Sequence, residues 1–291
     1  MTRARLAAPR IVRGEAAPVP TLDAKSAALD ERLESLGSLV IAYSGGVDSA
    51  YLSVAAARVL GGRALCVTAD SASYPERHRQ LAIATAHAFS LKHEIIHTDE
   101  LSRPEYRANP ANRCYYCKHE LYSRLTALAR ERGFAAVADG SNADDRGDYR
   151  PGRQAAREFG VVSPLDEAGL TKAEIRELAR RAGMSTWDEP ASACLSSRIP
   201  YHSEVTDEKL RRIEAAEQVV RGLGFRVFRV RHHDALARIE IGRDELARAM
   251  DPEIADALDR GLRAVGYEYV TVDLRGYRLG SLNEALRLRP V

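Results

Sequence analysis

The sequence predicts an α/β protein, a five-stranded parallel sheet with a smaller C-terminal α+β unit, and three observations carry that prediction. Five short apolar runs, Leu39–Tyr43, Ala64–Thr68, His93–His97, Ala135–Ala138 and Val161–Val162, are each followed by a polar loop and a helical pattern. Such alternation calls for a parallel sheet covered on both faces. The runs end in small or polar residues (Ser44-Gly45-Gly46, Thr68-Ala69-Asp70-Ser71, Thr98-Asp99, Asp139-Gly140-Ser141-Asn142, Ser163-Pro164), and ligands collect at the carboxyl ends of such strands. Beyond an aperiodic stretch from Trp187 to Tyr201 with two prolines, the pattern changes to helix, two strands, a helical region and a last strand.

Taken in order, residues 1–22 are rich in Ala, Arg and Pro and lack the apolar core of a secretory signal, which predicts a disordered extension on a cytoplasmic protein. Residues 23–200 hold the sheet. Its last helix opens on a capping box, Thr171-x-x-Glu174, and stops at Gly183. The unit at 201–291 begins with a helix from Thr206 to about Gly222, then strands at Phe225–His232 and Ala235–Ile241, a helical region to about Val265, and a strand at Tyr267–Leu274. A chain of 291 residues is long enough for two such domains. Lys and Arg number 43 against 41 Asp and Glu, so bulk charge does not call for nucleic acid, and no apolar stretch approaches a membrane span.

Leu39–Tyr43 leads into Ser44-Gly45-Gly46-Val47-Asp48-Ser49 and then an apolar helix from about Ser49. Two glycines let the backbone take positive φ and lie close to a phosphate chain, and the helix start offers unpaired N–H groups to the same anion. Ser44 and Ser49 add hydroxyls, and Asp48 is suited to holding the loop or a Mg²⁺ ion. This is not a Walker loop, because its lysine is missing. Four cysteines do not make a disulfide scaffold. Cys66, inside an apolar run, reads as a packing residue. Cys114 and Cys117, three residues apart just before a helix at Glu120–Arg132, are placed for lowered thiol pKa values and for metal or redox chemistry. A metal or iron–sulfur site needs a third ligand, and Cys194 is the natural candidate; a dormant redox pair is the alternative.

Asp139 to Asp145, followed by Asp148, gathers carboxylates at a strand end. Asp144, Asp145 or Asp148 can bind Mg²⁺ or orient a substrate cation, and a solvated turn fits the spacing equally well. In the second unit, strand periodicity puts Arg229 and Arg231 on one face as a fork for phosphate or carboxylate, with Glu240 at the end of the next strand.

The first motif resembles the pyrophosphate loop of the ATP pyrophosphatases, which implies the adenine-nucleotide alpha-hydrolase-like (PP-loop) fold. In order, Ser44–Ser49, Asn112–Cys117, Asp139–Asp145 with Asp148–Gly152, Ala193–Tyr201, and Arg229–His233 with Ala237–Glu240 resemble the pyridinium-3,5-biscarboxylic acid mononucleotide sulfurtransferases, the LarE family. The resemblance spans about residues 25 to 285, and the Cys194 segment is its most specific part. It implies ATP and Mg²⁺ at Ser44, Gly45, Gly46, Asp48, Ser49 and Thr68, with Asp48 and Asp145 near nucleotide and substrate. It implies Cys194 as the sulfur-bearing position, Arg198, Arg229 and Arg231 as ligand-binding residues, and Glu217 and Glu240 as further candidates, Glu240 for metal. The substrate implied is a pyridinium mononucleotide, converted to a thiocarboxylate for the nickel-pincer cofactor of a racemase, by a homo-oligomer. The family divides on its sulfur source. One type sacrifices the sulfur of a single cysteine; the other has the cysteine pair as well and binds a [4Fe–4S] cluster, and Cys114, Cys117 and Cys194 match the second type. A tRNA thiolation enzyme, an ammonia-using amidating adenylating enzyme and a non-catalytic ATP-binding module are the alternatives. The first needs a basic RNA platform, which the chain lacks, and the second has no use for Cys194.

Overall fold

A computed structural model describes residues 20–147, 151–190, 193–278 and 280–281. Asp148 and most of the N-terminal extension lie outside the described residues. The elements run α1 (Leu22–Leu36), β1 (Leu39–Ala42), α2 (Val47–Leu60), β2 (Ala64–Asp70), α3 (Glu76–Ala88), β3 (His93–His97), α4 (Pro104–Arg107), α5 (Arg113–Arg132), β4 (Ala136–Ala138), α6 (Gly152–Glu158), α7 (Pro164–Glu167) and α8 (Lys172–Arg181). They continue with α9 (Asp207–Gly222), β5 (Phe228–His233), β6 (Leu236–Ile241), α10 (Pro252–Ala264) and β7 (Tyr269–Val272).

The first sheet has four parallel strands in the order β3-β2-β1-β4. The fifth predicted strand is reduced to a single parallel bridge between Ala138 and Val162. Its apolar run has two residues, and Pro164, which has no N–H to offer a ladder, already begins α7. In β1 the side-chain period of two divides the core: Leu39 and Ile41 pack with α1, α2 and α8, while Val40 and Ala42 pack with α5 and α6. The order reverses direction at β1, so β2 and β4 lie on either side of it. Their carboxyl ends flank this switch point, the place where open α/β sheets take ligands.

The capping box is present, with Thr171 accepting from the Glu174 N–H and Glu174 accepting from the Thr171 N–H. Thr21 caps α1 with its side chain alone, accepting from the Ala24 N–H at 3.2 Å. The second sheet pairs β5 with β6 antiparallel and β6 with β7 parallel, under α9 and α10. Helix α9 joins the two regions. Its Ala216 and Val220 enter the core of the second sheet, while Leu210 and Ile213 pack on Tyr106, Leu195, Ile199 and Val205 beneath the Cys194 segment. Glu214 of the same helix accepts the Glu76 N–H at 2.7 Å, capping the start of α3. Among the described residues, no helix is long and apolar enough to cross a membrane.

Candidate functional site

The glycine turn sits at the switch point. Gly45 has φ +67°, and a Cβ there would come within 2.9 Å of Ala82 on α3, so both the conformation and the close approach require glycine. Gly46 is the cap residue of α2, which starts at Val47, two residues earlier than the sequence suggests. The Ser49 hydroxyl is turned into the loop, accepting from the Ser44 N–H at 3.1 Å and donating to the Gly46 carbonyl at 3.1 Å. From the neighbouring strand, a Cβ on Gly140 would lie 2.9 Å from the Ser49 nitrogen, so the end of β4 is pressed against the start of α2. Asp139 fixes that strand end by accepting from the Tyr122 hydroxyl at 3.0 Å and the Ser163 hydroxyl at 2.8 Å. A turn of this kind presents backbone N–H groups and a helix start to an oxyanion.

Asp48 is paired through Oδ2 with Lys172, which lies 124 residues away on α8. Its Oδ1 is buried and has no hydrogen-bond partner among the described residues. Burial raises the Asp48 pKa, and Asp145 nearby adds to the rise, while Lys172 and Arg176 oppose it. An orphaned carboxylate oxygen with a second carboxylate in its neighbourhood suits a divalent cation. Asp145 is itself buried and accepts the Asn142 N–H at 3.1 Å. Thr68 is turned inward, its hydroxyl donating to the Tyr43 carbonyl at 2.8 Å and lying 2.8 Å from His93 Nε2.

The loop after β2 touches both halves of the site. The Tyr74 hydroxyl donates to the Ser44 carbonyl at 3.0 Å, and the Leu195 N–H donates to the Ser73 carbonyl at 2.8 Å. Cys194 therefore sits one loop away from the glycine turn. Its segment is held from several elements at once. Arg113 donates to the Ser196 carbonyl at 3.1 Å across 83 residues of sequence, and the Tyr106 hydroxyl meets that of Ser196 at 2.5 Å. Asn109 donates to the carbonyls of Pro200 at 2.7 Å and Ser203 at 2.9 Å.

Arg198 is the centre of this clamp. Only 2 % exposed, it pairs bidentately with Glu217 at 2.8 and 2.9 Å and donates to the carbonyls of Ala193 at 2.7 Å and Cys194 at 3.0 Å. Its donors are spent on the protein, which makes it a positioning residue for Cys194. Arg231 is likewise buried, donating to Glu240 at 2.7 Å, to the Ser281 hydroxyl at 2.8 Å and to the Ser197 carbonyl at 2.8 Å. The parallel fork expected of Arg229 and Arg231 is not formed. Arg229 lies over the Tyr277 ring, 5.1 Å from its centroid, and donates to the Phe228 carbonyl at 2.6 Å. Burial, with Arg198 close by, pushes the Arg229 pKa down to about 10, which marks a site short of negative charge. Glu240, fully buried, is taken by Arg231 and Arg238, so its carboxylate is already neutralised by two cations.

Cys114 and Cys117 lie inside the first turns of α5, which starts at Arg113 because nothing between there and Glu120 breaks a helix. Their thiol pKa values are raised, not lowered as the helix start suggests. Loss of water around the sulfur is the leading cause at both, although Cys114 is exposed as a residue and Cys117 half-buried; Cys194 adds to the rise at each, and Glu100 does so at Cys117. The three thiols thus sense one another electrostatically, with Arg113 beside Cys114 and Cys194 and Lys118 beside Cys114 and Cys117. Among the described residues, no three Cys, His, Asp or Glu side chains are close enough together to hold a metal ion, so the thiols are neighbours without forming a closed ligand set. The donor set fits a thiolate-bound group in its chemistry, three free thiols with cations beside them. Cys66 is buried in β2 at 1 % exposure, its thiol pushed up to about 11 by burial, as a packing residue should be. Sequence reasoning missed Lys172 and the clamping role of Arg113. Neither has a local signal, since each meets its partner only through the fold.

A parallel sheet with a glycine turn at its switch point, and three free cysteines on segments that meet one loop away, define an α/β protein of the open-sheet class. No family model matches the chain. It is 43 % identical over 265 residues to an uncharacterised protein of Synechocystis, covering 91 % of this chain and 99 % of the relative. It is 36 % identical over 267 residues to the pyridinium-3,5-bisthiocarboxylic acid mononucleotide synthase of Lactiplantibacillus plantarum, covering 91 % of this chain and 96 % of that enzyme. An uncharacterised protein of Methanocaldococcus jannaschii is 30 % identical over 240 residues, covering 82 % of this chain and 90 % of the relative. The chain belongs to the family of the pyridinium-3,5-bisthiocarboxylic acid mononucleotide synthase, the LarE family.

Proposed function

We propose that this chain is an ATP-dependent sulfurtransferase of the PP-loop type that adenylates a carboxylate of pyridinium-3,5-biscarboxylic acid mononucleotide and converts it to a thiocarboxylate. The observation that carries the reading is the approach of the Cys114–Cys117 helix start to the Cys194 segment, with Arg113 joining the two at 3.1 Å, one loop from the glycine turn. The relative from Lactiplantibacillus plantarum, named for a bisthiocarboxylic acid mononucleotide, supplies the substrate class.

In this reading the ATP phosphates lie on Ser44 to Ser49, and Asp48 with Asp145 would hold Mg²⁺, the orphaned Oδ1 of Asp48 being the fitting donor. The substrate carboxylate attacks the α-phosphorus, pyrophosphate leaves, and the carboxylate becomes an acyl adenylate. A sulfur nucleophile presented at the Cys194 loop attacks the acyl carbon, the C–O bond to AMP breaks, and AMP leaves with that electron pair. Arg198 holds the Cys194 backbone for this attack, and Arg229 faces the substrate phosphate. Cys114, Cys117 and Cys194 would hold a [4Fe–4S] cluster, which when bound supplies sulfide as the donor and permits repeated turnover. The protein then works as a cytoplasmic homo-oligomer, feeding cofactor to a nickel-dependent racemase.

The test is anaerobic purification with iron and sulfide analysis, followed by incubation with ATP and the biscarboxylic mononucleotide. Release of AMP and pyrophosphate, with sulfur replacing a carboxylate oxygen by mass spectrometry, is expected from wild type and not from Cys194→Ala. Retained ligation of ammonia by Cys194→Ala overturns the sulfur-transfer reading. Iron-free wild type that turns Cys194 into dehydroalanine overturns the cluster.

A further inference from the structure

A second group of arginines lies away from the glycine turn, beside the start of the Arg229 strand, where Arg221 rests on the Phe228 ring of β5. A cavity of about 340 Å³ opens where the first turn of α3, the segment before residue 191 and the end of α9 meet, lined among others by Arg77, Glu189, Arg221, Phe225 and Arg226. Two of its cations are partnered: Arg77 with Glu189, and Arg226 with Asp188 at 2.9 Å. Arg221 is not. Its guanidinium lies 5.1 Å from the Phe228 ring centroid and makes no hydrogen bond or ion pair among the described residues. Glu217, one turn earlier on α9, is already held bidentately by Arg198.

The surroundings carry a surplus of positive charge. Burial, then Arg77, lower the Arg221 pKa, and Arg198 adds to this against the pull of Glu217 and Glu189. His78, beside Arg77, is pushed down to about 4 by burial and by the same arginines, Arg77, Arg198 and Arg221. A cavity with an uncommitted guanidinium, two flanking arginines and one apolar wall is built for a compact anion. Guanidinium forks match phosphate oxygens, and the one unpaired charge, on Arg221, is matched by a singly charged phosphate monoester or inorganic phosphate monoanion. The volume is at the small end for a ligand pocket.

We propose that this cavity binds a small phosphate-bearing anion, with Arg221 as principal donor and Arg77 and Arg226 flanking it. The site does not depend on the sulfur-transfer reading. It adjoins that chemistry through Arg198, which touches the Cys194 carbonyl at 3.0 Å and adds to the positive potential around Arg221, and through Phe228, whose ring carries Arg221 and whose carbonyl accepts from Arg229.

Calorimetric titration of full-length wild type, Arg221→Ala and Arg221→Gln with inorganic phosphate and with nicotinic acid mononucleotide tests it, with circular dichroism to confirm native folding. Loss of one charge-assisted contact predicts binding weakened about tenfold or more in both variants. A loss confined to the mononucleotide assigns the cavity to a phosphomonoester; a loss confined to inorganic phosphate assigns it to free phosphate. Cys194→Ser is expected to bind as wild type, so a failed sulfur-transfer reading leaves the site standing. Wild type with no saturable binding of either probe, or a folded Arg221→Gln that binds both as tightly, overturns the inference.

Discussion

Replacing Arg198 by Met tests the clamp on Cys194 most sharply. The guanidinium is 2 % exposed, its partner Glu217 is nearly as buried, and the pair is bidentate at 2.8 and 2.9 Å. Removing Arg198 leaves the carboxylate in a dry site with, among the described residues, one hydrogen bond, from the Val230 N–H at 3.1 Å, and Arg229 nearby. Breaking such a pair costs about 3–5 kcal/mol, whereas replacing both members by apolar residues is often close to neutral. Arg198→Met is therefore expected to lower stability by about 3–5 kcal/mol, and the double variant Arg198→Met with Glu217→Met to recover most of that loss. The remaining deficit in the double variant is about 1–2 kcal/mol, from the Val230 N–H left without its acceptor and the carbonyls of Ala193 and Cys194 left without their donor. Urea unfolding of wild type, both single variants and the double variant measures the cycle. The functional arm separates stability from position: the double variant should stay poor in sulfur transfer although stable, because nothing fixes the Cys194 backbone. Additive effects in the cycle, or a stable double variant with full activity, would refute the clamp.

Three further outcomes are expected. Gly45→Ala places a side chain at φ +67° and a Cβ 2.9 Å from Ala82, so it should destabilise by about 1–3 kcal/mol and abolish pyrophosphate release, while Gly37→Ala, at φ +74° but with open space, should leave that release intact, as measured by denaturation and phosphate assay. Serine at Cys114 or Cys117 should abolish sulfur transfer and any iron content with little change in unfolding midpoint, since neither thiol is part of the fully buried core; a full iron complement in either variant would count against their role. Burial, with Lys209 and Arg212 near, pushes His232 down to about 4, below its unfolded value of about 6.5, so the unfolded chain binds the extra proton first. Its contribution is complete above about pH 6.5 and is lost as pH falls toward 4, by at most about 3 kcal/mol, and a His232→Gln variant should show a flatter stability profile over that window.

Much of the parallel sheet was legible because strands and helices announce themselves locally. The apolar runs at Leu39, Ala64 and His93, the capping box at Thr171 and the switch of pattern near Thr206 all mark real elements. Helix α1 was not read, since its pattern shows only Leu29 and Leu33 as fully buried anchors. The fifth strand failed for a related reason: two valines satisfy a pattern but cannot sustain a ladder against Pro164.

The sequence by itself determined the glycine turn, the burial of Cys66 and the cysteines worth watching, because positive φ, apolar neighbours and thiol chemistry are properties of residues and their near neighbours. Tertiary structure alone decided what those residues meet. The strand order put β4 beside β1 and pressed Gly140 on Ser49; the fold brought Lys172 to Asp48 and Arg113 to the Cys194 loop. It also withdrew Arg198, Arg231 and Glu240 into buried pairs and raised the thiol pKa values that a helix start alone would lower. Burial and long-range charge set those outcomes, and neither is written in the spacing of residues along the chain.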